Sequence, residues 1–303
     1  MKCIVSGGRG FIGRRVVDQL LRGGHYVAVW SREPGRETRD AVGTFYWDPL
    51  GAEPAEESLT DYDAVIHLAG EPVAQRWTAE AKQKIRDSRV LGTKRLIDAI
   101  AKVEHKPSVL ICASAIGYYG SRGEEELDET SAMGTGFLAE VCREWEREAD
   151  RALDLGMRVV KIRIGIVLGK DGGALAAMLP AFRAFLGGRM GDGKQWMSWI
   201  HVDDLAAMVK WALETEVSGV INGVAPAAVR NGQFTTALGK ALGRPAFLQI
   251  PAGVLRAGMG EMSQAVLASA HVLPKVALAQ GFPYRYPELT PALQECVAPA
   301  HTL

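Results

Sequence analysis

The run Lys2-Cys3-Ile4-Val5-Ser6-Gly7-Gly8-Arg9-Gly10-Phe11-Ile12-Gly13 decides the fold. Its first five residues read as a short apolar strand. From Gly10 to Arg22, Ile12, Val16, Val17, Leu20 and Leu21 recur at helical spacing, and Gly23-Gly24 follows as a helix stop. Strand, glycine loop and helix thus succeed one another directly. The glycines fit two spacings: Gly8, Gly10 and Gly13 give Gly-x-Gly-x-x-Gly, and Gly7, Gly10 and Gly13 give Gly-x-x-Gly-x-x-Gly. Either way, one glycine permits the turn, one lets the backbone approach a pyrophosphate, and the last lets the helix pack on the strand. The helix N-terminus then offers free N–H groups and a partial positive charge to phosphates, with Phe11 and Ile12 in its first turn. A glycine triplet alone is a weak signal, and a plain glycine-rich turn is the alternative. The flanking strand and helix are the context that gives it weight.

A second strand is expected at Tyr26–Trp30, ending in Ser31-Arg32. A dinucleotide site for NAD places an acidic residue there, to hold the ribose 2′-hydroxyl. A guanidinium instead binds a 2′-phosphate by charge-assisted, bidentate hydrogen bonds. Arg9 in the glycine loop is placed to reach the same group. Ser31, Arg32 and Arg9 therefore favour NADP(H), against the alternative of two arginines that merely face solvent.

Further along, strand patterns at Thr44–Trp47, Ala64–Leu68, Val109–Ser114 and Arg158–Ile164 alternate with helical patterns at Thr78–Val103 and Phe137–Leu155. Such alternation gives βαβ units and a doubly wound parallel sheet with helices on both faces. After about residue 166 the pattern breaks into glycine-rich loops around one helix, Ala174–Leu186. A helix at Asp203–Glu214 and a strand at Gly219–Asn222 re-enter the sheet, and short helices punctuated by prolines follow from Pro226. The expected division is residues 1–165 with 200–224 as a nucleotide-binding Rossmann domain, and 166–199 with 225–303 as a smaller C-terminal domain.

The 303 residues carry 35 basic and 35 acidic side chains, and this zero net charge argues against a generic nucleic-acid binder. The four cysteines, at 3, 112, 142 and 296, lie too far apart for a Cys-x-x-Cys metal site or a disulfide framework, and are read as reduced and buried. His25, His67, His105, His271 and His301 are likewise too scattered for a metal site. No leader sequence or membrane span is read, so the expected compartment is the cytoplasm. Nothing in the sequence sets the oligomeric state.

Beyond these patterns, several motifs resemble the extended short-chain dehydrogenase/reductases, which include the nucleoside-diphosphate-sugar epimerases. They are Gly7–Gly13, His67-Leu68-Ala69-Gly70, Ser88–Thr93, Ser114–Gly120, Arg163–Gly169 and Trp199–Leu205. Ala69-Gly70-Glu71, Phe137–Glu140, Trp145-Glu146 and Gly223–Pro226 are similar to the "epimerase family" branch with its own short C-terminal domain, some members of which carry the label cell-division inhibitor. The resemblance implies that Leu68, Ala69 and Gly70 line the adenosine and ribose, that Arg89 contacts cofactor, and that Val167 lies near the nicotinamide end. Core packing for Leu68 and Val167, and a surface salt bridge for Arg89, are the structural alternatives.

That superfamily's hydride chemistry uses a Ser or Thr with a Tyr-x-x-x-Lys pair, in which the ammonium favours the phenolate. None of the seven tyrosines has a lysine four residues on. The corresponding helix places Phe137 and Val141, or Leu138 and Cys142, at the two positions. The hydroxyl position falls on Ala115, one residue from Ser114. An ordinary sugar epimerase or dehydratase is therefore not expected. Three readings stand, and turnover is left open among them. The first is an NADP(H)-dependent, epimerase- or reductase-like protein with a different proton source, Tyr118 being the candidate phenol. The second is a non-catalytic NADP(H)-binding sensor. The third is a partner-binding regulator, for example of cell division, with an exposed apolar face at Leu255, Met259, Met262, Val266 and Leu267. His201 is read as a buried structural residue, Asp203 or Asp204 as the following helix cap, and Trp196 and Trp199 as flanking an interdomain cleft whose wall includes Phe185–Arg189.

Overall fold

The computed structural model describes residues 1–33 and 43–298, so His301 lies outside the described residues. The first half runs β1 (Lys2–Ser6), α1 (Phe11–Arg22), β2 (Tyr26–Ser31), β3 (Gly43–Tyr46), β4 (Ala64–His67), α2 (Ala79–Lys102), β5 (Val109–Ala115), β6 (Glu126–Leu127), α3 (Phe137–Asp150) and β7 (Arg158–Ile164). The second runs β8 (Ile166–Leu168), α4 (Gly173–Arg183), β9 (Gly188–Met190), β10 (Trp196–Met197), β11 (Trp199–His201), α5 (Val202–Glu214), β12 (Gly219–Gly223) and β13 (Val229–Arg230). It ends with α6 (Asn231–Leu242), β14 (Leu248–Ile250), α7 (Ala252–Met259), α8 (Ser263–Leu267), β15 (His271–Val272), α9 (Lys275–Ala279) and α10 (Leu289–Val297).

Seven strands form one sheet in the order β12-β7-β5-β4-β1-β2-β3, and every neighbouring pair is parallel. Alternate strand residues face opposite layers, as the two-residue period requires. On one face Val5, Val29, Ile66, Ile111 and Ile162 pack with Val16 and Leu20 of α1 and with Leu205 and Val209 of α5. On the other, Ile4, Ala28, Val65 and Leu110 pack with Leu96, Ile97 and Ile100 of α2 and Trp145 of α3. Each fully buried aliphatic side chain contributes roughly 1.5–3 kcal/mol, so both layers are needed to hold the sheet.

The C-terminal region has its own core, built from Leu175, Leu179, Phe182, Trp199, Phe234, Leu238, Leu289 and Leu293. Two-stranded pairs β8·β11, β9·β14 and β10·β13 frame it. It forms a separate domain, although β12 returns the chain to the edge of the main sheet.

Several element ends differ from the sequence reading, for local reasons. The helix expected over Phe137–Leu155 is α-helical only to Asp150 and tightens to a 3₁₀ turn that stops at Gly156, φ +80°. The helix expected to Leu186 stops at Arg183, where Leu186 N–H donates to Ala181 O and Phe185 N–H to Phe182 O. That is a Schellman closure, with Phe185 in the left-handed position (φ +63°) usually taken by glycine.

Neither Asp203 nor Asp204 caps α5. The cap is His201, whose Nδ1 accepts from Asp203 N–H at 3.2 Å. Asp204 is buried, and its two oxygens accept from the backbone N–H groups of Arg285 (2.9 Å) and Tyr286 (2.8 Å). It pins the C-terminal segment onto α5. Replacing Asp204 by Ala strands two buried donors, so we expect a loss of about 2–3 kcal/mol in urea unfolding. Asp203→Ala should cost less than about 1 kcal/mol, because only long contacts to Arg15 and His201 (3.9 Å each) are lost. Equal losses would contradict this assignment.

Candidate functional site

The C-terminal ends of β1, β2, β3 and β4 border a cleft of about 440 Å³. Ligands of open α/β sheets sit beyond those ends. Gly7, Arg9, Gly10, Ser31, Arg32, Leu68, Ala69 and Gly70 all line it, as do Ser6, Glu33, Trp47, Asp48, Glu71 and Ser88.

The glycine loop distributes its roles by geometry. Gly7 has φ +70°, and a Cβ there would lie 3.0 Å from Ala69 N and Leu68 C. A Cβ on Gly13 would lie 2.0 Å from Gly7 O, and one on Gly8 would lie 2.7 Å from a Val29 methyl. Those three positions are closed by the protein's own packing. At Gly10, which lines the cleft, a Cβ would meet Gly7 O at 3.2 Å, a tight contact rather than a clash. Gly7-x-x-Gly10-x-x-Gly13 and Gly8-x-Gly10-x-x-Gly13 therefore both describe the loop, since Gly7 and Gly8 are each closed by packing. Helix α1 has no side-chain cap and no acidic residue in its first turn, which leaves its leading N–H groups available to an anion.

Below the loop lies a buried relay. Ser6 Oγ accepts from Leu68 N–H (3.1 Å) and Ala69 N–H (3.2 Å), so its own proton goes to His67 Nδ1 at 2.7 Å. His67 then carries its proton on Nε2 and donates to Thr93 Oγ1 at 3.1 Å. Burial, and secondarily the charge of Arg89, pulls the His67 pKa down to about 3. A neutral imidazole thus fixes the backbone of Leu68 and Ala69 in the cleft wall.

At the rim, Arg9 Nη1 donates to Glu33 O at 2.7 Å, which holds the guanidinium beside the end of β2. Arg32 is exposed. Trp47 meets Trp30 edge-to-face at 5.3 Å and lies tilted against His67 at 5.6 Å, closing the far wall.

Not every expected site residue sits in this wall. Phe11 turns its ring toward Gly169, Gly172 and Gly173, and Gly13 is buried under the loop. Ile12 packs against the α1 side of the core. Arg89 lies behind the wall, donating to Glu71 O (2.9 Å) and Ile85 O (3.1 Å) and stacking 5.2 Å over Trp145. Val167 is a core residue on β8. Ser6, Trp47, Asp48, Glu71 and Ser88 were not anticipated. The signal for Trp47 and Asp48 was their place at the end of the third strand.

At the end of β5, Ala115 stands at the expected hydroxyl position. Ser114 points into the layer beneath α3, donating to Glu146 Oε1 at 2.7 Å. Glu146 accepts two hydrogen bonds from Arg163, each 2.8 Å, and Arg163 Nη1 reaches Tyr119 OH at 3.0 Å. Tyr119 OH in turn donates to Asn222 Oδ1 at 2.8 Å. Of the two registers on α3, Leu138 and Cys142 are the residues that face Gly117. Burial raises the Cys142 thiol to about 11, so it stays protonated. Phe137 instead packs 5.3 Å from Trp77, and Val141 is buried. Tyr118 is half-buried, with the Arg163 guanidinium 3.4 Å over its ring.

His201 Nε2, Glu295 and Cys296 are the one trio of metal-ligand types that converges among the described residues. Its geometry is that of a latch: with Nδ1 accepting at the helix cap, Nε2 carries the proton and donates to Glu295 at 2.9 Å. Burial also lifts the Cys296 thiol to about 12. Trp199 is fully buried rather than at a cleft, whereas Trp196 is half-buried and stacks 4.0 Å on His271. Leu255 is buried and Met259, Met262, Val266 and Leu267 are half-buried. The exposed large apolar residues of that domain include Phe185, Leu186, Phe247, Leu248 and Val254. Phe185 and Leu186 thus stand on the surface, and Arg189 lines a second groove.

An all-parallel seven-stranded sheet of this order, with a glycine loop after its first strand, is a Rossmann-type fold. Residues 3–225 match the family model described as NAD dependent epimerase/dehydratase family, and residues 250–296 match a domain of unknown function, DUF1731. The chain belongs to the NAD dependent epimerase/dehydratase family. It is 42% identical over 299 residues to the chloroplastic epimerase family protein SDR39U1 homolog of Arabidopsis thaliana, covering 97% of this chain and 86% of that protein. It is 37% identical to the epimerase family protein YfhF of Bacillus subtilis, with both chains covered completely. The crystal structure of human epimerase family protein SDR39U1 (isoform2) with NADPH superposes with a TM-score of 0.86 at 36% identity, covering 98% of this chain and 99% of that one. The UDP-glucose 4-epimerase of Thermus thermophilus shares the fold, with a TM-score of 0.79 at 21% identity and 98% and 99% of the two chains covered. No helix among the described residues is long and apolar enough to cross a membrane.

The His67 arrangement makes a pH prediction. Below about pH 6.5 the unfolded chain takes up a proton that the folded chain refuses, so stability present above that pH is lost on acidification toward pH 3. The full shift corresponds to about 4–5 kcal/mol. His67→Asn should remove this component. Between pH 6.5 and 4.5 the urea-unfolding free energies of the native chain should fall faster than the variant's, by up to about 1.4 kcal/mol per pH unit. Parallel curves would show that His67 is not the group responsible.

Proposed function

We propose that this chain is an NADP(H)-binding, epimerase- or reductase-like protein of the extended short-chain dehydrogenase type, working without the Ser/Thr-Tyr-Lys set. The observation that carries the reading is the cleft itself: an uncapped, acid-free helix N-terminus at Gly10, with Arg9 and Arg32 beside the end of β2. In it, Gly10, Phe11 and Ile12 would present backbone to the pyrophosphate. Ser31, Arg32 and Arg9 would take the 2′-phosphate, and Leu68, Ala69 and Gly70 the adenosine and ribose. Gly7 and Gly13 shape the loop, Arg89 braces Glu71 from behind, and Val167 supports the nicotinamide end through the core. That a relative was crystallised with NADPH supports the same choice of cofactor.

A bound nicotinamide supplies or accepts hydride. The chain's own contribution at that end is Tyr118, held under Arg163 just past β5, as the nearest phenol to replace the usual proton donor. A second reading, a non-catalytic NADP(H)-binding sensor, is favoured by the apolar pair Leu138 and Cys142 at the usual acid–base positions. The core around Phe182, Trp199 and Phe234 supports the division into residues 1–165 with 200–224 and 166–199 with 225–303, although Val167, Ala277 and Phe282 pack into the core of the main sheet. Four unpaired, buried cysteines fit a reducing compartment such as the cytoplasm.

Calorimetric titration of the cofactor-free protein tests the reading. NADPH should bind at least about tenfold more tightly than NADH, and Arg32→Ala should erase most of that difference, since a charge-assisted contact is worth about 1.5–3 kcal/mol. Equal affinities in the native chain would overturn the NADP(H) assignment. Consumption of NADPH with a panel of carbonyl substrates, reduced about 100-fold or more by Tyr118→Phe, would separate the enzyme from the sensor.

A further inference from the structure

A second groove, of about 590 Å³, runs along α6 in the C-terminal domain and shares no lining residue with the glycine-loop cleft. One face of α6 forms its floor: Gly232, Thr235, Thr236, Gly239 and Lys240 recur there at helical spacing. The turn that follows supplies Arg244, Phe247 and Leu248, and β9 supplies Arg189.

Three features of this groove point to a ligand. The first is charge. No acidic residue lines it, although the chain as a whole is neutral. Arg189 donates to the amide oxygen of Gln249 at 3.0 Å, and Arg244 lies 4.6 Å over the ring of Phe185. Neither these two nor Lys240 forms an ion pair among the described residues, whereas Arg86, Arg122, Arg151, Arg163 and Arg230 all meet carboxylates. Cations gathered without counter-charges raise the local potential for an anion.

The second feature is Thr235. It is 1% exposed, and its Oγ1 has no hydrogen-bond partner, while the hydroxyl of neighbouring Thr236 donates to Gly232 O at 3.0 Å. A buried hydroxyl left without a partner is costly, and a ligand atom that bonded it would recover that cost. The third is apolar surface at the mouth, where Phe247 is 80% exposed and Leu248 39%. A volume of this size suits a small molecule, within the range of roughly 300–1,000 Å³ usual for such sites.

We propose that this groove binds a small organic phosphate. Lys240 and Arg244 hold the phosphate, Thr235 satisfies its hydroxyl on the ligand's polar end, and the apolar body covers Phe247 and Leu248. The site is independent of the dinucleotide reading, because it is built from other residues.

Phenyl phosphate is the probe, titrated calorimetrically into the full chain with and without saturating NADPH. Binding at about millimolar or tighter is expected in both cases. The double variant Lys240→Gln, Arg244→Gln should weaken it at least about tenfold. Thr235→Val, which keeps the side chain's shape, should weaken it about threefold or more while leaving thermal unfolding cooperative. Three results would overturn the proposal: no binding, binding abolished by NADPH, or native affinity in the double variant. Benzoate binding as tightly as phenyl phosphate would overturn the phosphate assignment.

Discussion

Everything at the head of this molecule depends on one close approach. Helix α1 enters so near the end of β1 that a single carbon on Gly13 would sit 2.0 Å from the carbonyl of Gly7. That contact sets the angle of the helix, and the angle sets where its leading N–H groups point. It also places Val16 and Leu20 on the sheet, where they share a layer with α5. The loop is held from below as well, since Ser6, His67 and Thr93 form a hydrogen-bonded chain that fixes the neighbouring turn after β4. The backbone N–H groups at this end of the cleft depend on such rigidity, because backbone groups have no rotamers with which to adjust.

The end of β5 is organised differently. Ser114, Glu146, Arg163, Tyr119 and Asn222 join β5, α3, β7 and β12 through buried hydrogen bonds. The Arg163 pKa is raised: burial works against the charge, and the Glu146 carboxylate more than offsets it. Asn222 extends the network to the C-terminal segment by donating to Leu273 O at 3.0 Å. A buried ion pair of this kind contributes little net stability but is costly to break, by about 3–5 kcal/mol when one partner is removed. Its effect is to fix one packing of α3 on the sheet. That packing directs Leu138 and Cys142, rather than a phenol and an ammonium, toward the strand end.

The C-terminal domain is held to the sheet by apolar packing of Ala277 and Phe282 and by polar contacts placed at a few points. Asp204 grips the backbone at Arg285 and Tyr286, His201 bonds Glu295, and Tyr284 OH donates to Val224 O at 2.9 Å. Its own hydrophobic core leaves the outer face of α6 free for a groove of different chemistry from the first. The two concavities therefore divide the surface: one lies at strand ends and mixes glycine, acidic, basic and aromatic residues, the other is lined by cationic and apolar side chains along a helix.

The sequence by itself determined the parallel sheet, the order of its elements and the glycine loop. These rest on short-range signals: apolar runs of strand length, helical periodicity, and glycines at positions that admit no side chain. It also determined that no Tyr-x-x-x-Lys pair is available. Only the tertiary structure shows why both glycine spacings hold, because the contacts that close Gly7, Gly8 and Gly13 appear when the helix docks on the strands. It alone assigned the cap of α5 to His201, since Asp204 is drawn away by backbone donors some eighty residues downstream. It alone brought Trp47, Asp48 and Ser88 to the cleft, and set Arg89 and Val167 behind it. Residues far apart in sequence carry no mark of their future neighbours, and which of them meet is fixed by the register of the strands and the packing of the helices upon them.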